Sequence, residues 1–179
     1  NTMPAPYYRF DGVDDTITVT DNAIMDDIFD SGGSVEAWIY PLSDGESNQG
    51  AILTRLNSYS IRTFEESVGY VKIYLEYAFS STAGKWKSAL DVPVGKWTQI
   101  VLVYDAAVVS NAPIIYVNGV SSTITETQTP VGTRVTDGGN LFIGNNDSGG
   151  LTFDGQIEKI RKFNKALTAT EVKELYSGA

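Results

Sequence analysis

The chain has 179 residues, with 13 Lys and Arg against 22 Asp and Glu for a formal charge of −9, and it contains neither Cys nor His. Without Cys there is no disulfide framework, thiolate nucleophile or Cys-held zinc, and without His the commonest general base and every Ser-His or Cys-His arrangement is gone. A hydrophobic fraction of 42% argues for a folded domain rather than disorder, and at this length one domain buries roughly 70% of its unfolded surface with no need of a staple.

Residues 1–9, with Pro4 and Pro6, read as a leader or linker that has neither a basic n-region nor an apolar h-region. Residues 10–179 read as a single domain. Short alternating segments separated by Gly, Asn, Asp and Ser clusters then follow one another, a strand-and-turn pattern. Phe10 to Val19 is expected to be the first strand, with Ile17 and Val19 alternating against threonines. Asp21 to Asp30 has room for a short helical turn. Val35, Ala37 and Ile39 alternate with Glu36, Trp38 and Tyr40, and Pro41 ends the segment. In Tyr70–Tyr77, the residues Val71, Ile73, Leu75 and Tyr77 share one face, and Tyr70, Lys72, Tyr74 and Glu76 the other. Lys85-Trp86-Lys87 reads as an exposed hairpin. Trp97 to Tyr104 is nearly all apolar, as a central strand covered on both faces would be. Ile114 to Val117 runs into Asn118-Gly119, a turn that needs φ > 0. Leu141 to Gly144 and Phe153 to Phe163 supply further strands, and Lys159, Arg161 and Lys162 suit a solvated strand edge. Thr168 followed by Glu171 is a capping box, with Val172, Leu175 and Tyr176 at helical spacing behind it. Residues 44–50, 105–113, 121–140 and 145–150 read as surface loops. The whole is an all-β domain of two packed sheets with a short C-terminal helix.

Several stretches carry a resemblance in order along the chain: Phe10-Asp11-Gly12-Val13-Asp14-Asp15, Ser34-Val35-Glu36-Ala37-Trp38-Ile39, Gly95-Lys96-Trp97 through Asp105 with Ile115 to Gly119, then Leu141 to Gly144 with Phe153 to Arg161 and Ala166-Leu167-Thr168. Together they resemble the laminin-G-like branch of the concanavalin A-like lectin/glucanase superfamily over about residues 7–176. The resemblance implies an antiparallel β-sandwich jelly roll in which the first and last strands pair, and it makes Trp38 and Trp97 packing residues. Glucan-cleaving members resemble one another in a strand bearing Glu-x-Asp-x-(x)-Glu. That strand is absent here: Glu65-Glu66, Asp14-Asp15 and Asp26-Asp27 are adjacent pairs that would point to opposite faces, and Glu158 has no partner two or four residues on. The expectation is therefore a binding module and not an enzyme.

Two features bear on what would be bound. Aromatic residues are plentiful, and flat rings beside polar groups suit the C–H faces of sugars. Tyr59, Tyr70, Tyr74 and Trp86 are the candidate platforms, although Tyr is also an ordinary cross-strand residue. Asn145 and Asn146, in the turn Asn145-Asn146-Asp147-Ser148-Gly149-Gly150, are candidate polar contacts, and Asn146-Asp147-Ser148 is also a glycosylation sequon. Acidic residues gather where the resemblance implies Ca²⁺: Asp11, Asp14 and Asp15, with Asp154 on the pairing strand, and Asp147 in the rim turn. Calcium takes ~6–8 oxygen ligands, but Asp, Asn and Gly also dominate turns for backbone reasons.

The function expected is recognition of a glycan or of a surface protein, with a possible structural Ca²⁺, on a domain that is extracellular or displayed on a cell or virion surface. The alternative is an assembly piece of a virion, fibre or adhesin that contacts sister subunits. The acidic balance opposes nucleic acid, and no apolar run nears the ~20 residues that cross a bilayer.

Overall fold

A computed structural model describes residues 6–178; the first five residues of the expected leader lie outside them. In chain order the strands are β1 (Tyr8–Asp11), β2 (Ile17–Val19), β3 (Gly33–Pro41), β4 (Ala51–Arg55), β5 (Tyr59–Ser67), β6 (Tyr70–Tyr77), β7 (Gly84–Ser88), β8 (Val92–Pro93), β9 (Thr98–Tyr104), β10 (Ile114–Val117), β11 (Val120–Ser122), β12 (Ile124–Gln128), β13 (Leu141–Ile143) and β14 (Asp154–Phe163). Helix α1 (Ala169–Ser177) closes the described chain. Six strands form one sheet in the order β1-β14-β3-β9-β10-β11. Eight form the other, in the order β12-β7-β6-β5-β4-β13-β2 with β8 beside β6. All pairs are antiparallel, and the two sheets enclose one core, the sandwich the alternation foretold.

The core follows from that alternation. Val71, Ile73, Leu75 and Tyr77 of β6 meet Ile61 and Tyr59 of β5 and Leu53 of β4 inside, facing Val35, Ala37 and Ile39 of β3 and Ile100 and Leu102 of β9. At one end Phe29 is 5.1 Å from the ring centre of Tyr59 and 6.0 Å from those of Tyr77 and Tyr104. Beside this aromatic cluster the wholly buried guanidinium of Arg55 pairs with Asp26, with Asp21 at 2.7 Å and with Asp137 at 3.6 Å. The ion pairs tie the segment before β3 and the segment before β13 to β4. A single 3₁₀ turn, Ala23–Met25, capped by the Asn22 side chain, stands where a short helical turn was expected.

The back of the six-stranded sheet is sealed. Thr168 and Glu171 form the expected capping box, and Val172 of the helix packs on Val101, Val103 and Tyr116. Tyr176 stacks on Trp38 with ring centres 6.0 Å apart and planes 14° from parallel. Between them lies Glu36, fully buried, which accepts hydrogen bonds from Gln99 Nε2 at 2.9 Å and Arg161 Nε at 2.6 Å.

Several expectations need correction. The expected first strand is two: β1 pairs with β14, placing Asp11 opposite Asp154, while β2 joins the other sheet beside β13. Gly12, at φ +77°, begins that change of sheet. Lys85-Trp86-Lys87 is not an exposed hairpin but strand β7, with Trp86 in the core because its neighbours Lys85 and Lys87 alternate outward. Residues 121–140 hold strand β12, which pairs with β7. The basic stretch is not a bare edge either. A bulge between Glu158 and Arg161 lets Arg161 reach Glu36, and Lys162 Nζ donates to the Met25 carbonyl at 2.7 Å. Trp97 is half-buried rather than core; it sits outside the sheet against Tyr7 and Tyr40.

Candidate functional site

The back of the eight-stranded sheet is open, and the residues that alternate with its core-facing set form a polar lattice. Register places Thr54 of β4 beside Ser60 of β5, Ser60 beside Glu76 of β6, and Glu76 beside Lys85 of β7. The next row runs Arg62, Tyr74, Lys87 across β5, β6 and β7. Cross-strand neighbours on one face stand close enough for their side chains to interact, and here they do. The Thr54 and Ser60 hydroxyls are hydrogen-bonded at 3.0 Å. Arg62 donates to Gln49 Oε1 at 2.5 Å and pairs with Glu76, and its guanidinium lies 5.4 Å from the centre of the Tyr74 ring. Lys85 Nζ is 3.5 Å from the second oxygen of Glu76, and Lys87 pairs with Glu65 at 2.8 Å.

Over this lattice lies a groove of 420 Å³, within the ~300–1,000 Å³ usual for small-molecule sites. Its floor is Thr54, Ser60, Arg62 and Glu76; the turn at Asn57 and Ser58 bounds one side, and Asn146, Asp147 and Leu151 bound another. The loop that carries Asn146 and Asp147 is held rigidly. Asn145, fully buried, donates to Thr152 Oγ1 at 2.7 Å and accepts from the Asn146 and Leu151 amides at 2.9 and 3.1 Å. Asn146 Oδ1 accepts the Gly150 amide at 2.9 Å, which turns the loop tip over the sheet.

The expected site residues therefore separate. Asn146 and Asp147 line the groove, the latter as a rim carboxylate and away from its expected metal role. Tyr74 flanks the floor under Arg62, with its other neighbour Phe64 at 5.2 Å. Tyr59 touches the groove only along its backbone side: it is 3% exposed, its ring is packed against Phe29, and burial pushes its phenol well above the ordinary range. Trp86 is 1% exposed and faces the core against Tyr104, so neither ring is a platform. Asn145 is a loop brace. Tyr70 is exposed near the β5–β6 turn and does not line the groove. Thr54, Ser60, Arg62 and Glu76 were missed as a set. The Tyr59/Ile61 and Ser60/Arg62 alternation in β5 was the available signal, and Glu76 already stood on the polar face of β6.

The acidic expectations divide in the same way. Asp11, Asp14 and Asp15 each bring one carboxylate oxygen to within 4.8 Å of the others, a set of hard oxygen donors of the kind calcium takes. Two of these carboxylates also serve the turn: Asp15 accepts the Asp11 amide and Asp11 that of Val13, both at 3.0 Å. Asp154 lies opposite Asp11 in the ladder, but its carboxylate accepts the Ser43 hydroxyl at 2.7 Å and stands outside the group.

A laminin-G family model, described as the concanavalin A-like lectin/glucanases superfamily, matches residues 11–173. No curated protein matches the chain by sequence. Among solved structures, domain 4 of an extracellular arabinanase from Geobacillus stearothermophilus, in complex with arabinotriose, is 20% identical with a TM-score of 0.61, over 90% of this chain and 72% of that one. A heptameric SAP-like pentraxin from Limulus polyphemus is 19% identical with a TM-score of 0.63, over 81% of this chain and 69% of that one. The botulinum neurotoxin serotype G binding domain is 16% identical with a TM-score of 0.67, and this chain covers 40% of it. At such identities the likeness concerns the fold.

Proposed function

The chain belongs to the concanavalin A-like lectin/glucanase superfamily, and from that premise we propose that it is a non-catalytic module that recognises carbohydrate on the back of its eight-stranded sheet. The observation that carries the proposal is the groove itself. It is the face left open while the opposite sheet is sealed by helix α1, and its floor is a connected set of hydroxyl, carboxylate and guanidinium groups with the Asn146 amide at the rim. Such groups match the alternating donors and acceptors of sugar hydroxyls. The arabinotriose complex of a structural neighbour supports the choice of ligand class.

The carboxylates that line the groove are Glu76 and Asp147. Glu76 is engaged by both Arg62 and Lys85, and Asp147 stands on the rim. Glu65, Glu66 and Glu158 stand outside the groove. The same reading makes the domain one that works outside the cell or on a surface, where polysaccharide is met, and it gives Ca²⁺ a bracing role on Asp11, Asp14 and Asp15 where the chain passes between sheets.

A glycan array probed with the labelled domain tests the function. Binding of one oligosaccharide group, abolished by Arg62→Ala with the far-ultraviolet dichroism unchanged, is the expected result. Wild-type protein that binds no glycan, or binding that Arg62→Ala leaves intact, would overturn it.

A further inference from the structure

We infer that the groove is built for neutral, hydroxyl-dense oligosaccharides and discriminates against uronate-bearing ones, with the Arg62–Glu76 pair as the specificity-determining element. This rests on the carbohydrate reading and narrows it. Two cations line the groove, and both are already engaged: Arg55 is wholly buried among Asp21, Asp26 and Asp137, and Arg62 is held on the floor. One terminal nitrogen donates to Gln49, another pairs with Glu76, and Tyr74 lies against the guanidinium plane. Nε is buried without a protein acceptor and has no surface facing a ligand, which leaves only the second N–H of each terminal nitrogen. A sugar carboxylate drawn to these would share the guanidinium with Glu76 and bring a second anion beside the first.

The surrounding charges act in the same direction. In the lining Arg62 stands against Glu76 and Asp147, with Lys85 beside Glu76, while the charge of Arg55 is met by Asp21, Asp26 and Asp137. Lys87, the next cation along the lattice, is paired with Glu65. Beyond them the chain as a whole carries −9. An incoming carboxylate gains no net attraction from this field, and a neutral hydroxyl is not penalised by it. Hydroxyls, each both donor and acceptor, find both kinds of partner. Thr54 and Ser60 are bonded to each other and retain further capacity, Glu76 and Asp147 accept, and Asn146 supplies an amide at the rim. No aromatic face lies free on the floor, because Tyr59 is turned inward and Tyr74 is covered by Arg62. Hydrogen bonding, and not ring stacking, therefore sets the specificity.

The test is isothermal titration of the intact chain with neutral trisaccharides (arabinotriose, xylotriose, cellotriose) and uronate trisaccharides (trigalacturonate, triguluronate), each at low and high NaCl. The expected outcome is that a neutral trisaccharide binds at least about tenfold more tightly than either uronate, a gap of ~1.4 kcal/mol. Its Kd should move less than about twofold with salt, since no ligand charge is there to be screened. Glu76→Gln, which releases Arg62, should narrow the gap by improving uronate binding. Uronate binding equal to or tighter than neutral binding, or a neutral Kd that rises steeply with salt, would overturn this inference alone. Binding of neither class would overturn the carbohydrate reading beneath it.

Discussion

The two sheets share one core, but their backs are treated in opposite ways. On the six-stranded sheet Glu36, Gln99 and Trp38 are buried, with Tyr176 of helix α1 stacked on Trp38 and Arg161 paired to Glu36. On the eight-stranded sheet Thr54, Ser60, Arg62 and Glu76 are just as closely knit, yet they open onto a groove. The same device, a cross-strand polar lattice, acts as a buried brace on one side and forms the floor of an open groove on the other. The difference lies in what lies above it, so the sealed face should answer to stability measurements and the open face to binding.

The largest effect should come from the sealed face. Glu36→Ala leaves Gln99 buried without its acceptor and removes the partner of Arg161. A loss of about 3 kcal/mol is expected, because breaking a buried charged pair costs ~3–5 kcal/mol and Arg161, partly exposed, can find water. The urea midpoint should fall accordingly while glycan affinity per folded molecule holds. A drop in affinity instead would mean that the two faces are coupled. The junction between sheets gives the next test. If Asp11, Asp14 and Asp15 hold Ca²⁺, unfolding in a 100-fold excess over Kd should gain roughly 2.7 kcal/mol relative to EDTA. Asp14→Asn should erase the gain, and identical midpoints in both buffers would reduce the cluster to a turn.

On the open face the double variant Thr54→Val, Ser60→Ala replaces both partners of a hydrogen bond with apolar groups, an exchange that is nearly neutral for folding. Stability should shift by less than about 0.5 kcal/mol while sugar affinity falls about tenfold. A large loss of stability with intact binding would reverse the contrast between the faces. The smallest effect is with pH. Burial, with Arg55 nearby, holds the Lys162 amine down to about 8, and burial pushes the Tyr77 phenol up to about 12. Between pH 8 and 10 the unfolded chain holds more protons at Lys162 than the folded one, so stability should rise slightly. Above 10 the folded state retains the Tyr77 proton longer, and stability should fall. Lys162→Met should flatten the rising limb in urea titrations across that range.

Much of the frame could be read from local pattern. The alternation in β6 and the Thr168–Glu171 box report period and cap directly, and both formed as expected. β5 was hidden because Thr63, though polar, points inward to the carbonyls of Asp44 and Gly50, and a bulge between Phe64 and Ser67 breaks the period beyond it. β12 reads Ile-Thr-Glu-Thr-Gln, an edge strand with no apolar face to announce it. The site was less legible than the fold. Its floor exists only once register sets Thr54 against Ser60 and brings Arg62 to Glu76, and no single segment encodes that meeting. Tyr59 and Trp86 misled because a sandwich this thick fills its centre with the same large rings that, outside, would bind sugar. Asn146 and Asp147 line the groove because their turn is braced at its rim, a place a turn-rich segment of the sequence already marked.

The pairing of β1 with β14 also governs the order in which the molecule can be made. Residue 11 waits for residue 154, so the edge of the six-stranded sheet and the seat of Phe10 stay empty until almost the whole domain has left the ribosome. A Cβ on Gly144 would stand 1.9 Å from the Phe10 ring, so that seat has been shaped in advance for a side chain made at the beginning and placed at the end. Loops of such length close slowly. Strands β4, β5, β6 and β7 of the eight-stranded sheet, joined by neighbouring hairpins, are free to pair first, and the groove floor should exist before the domain that carries it is complete.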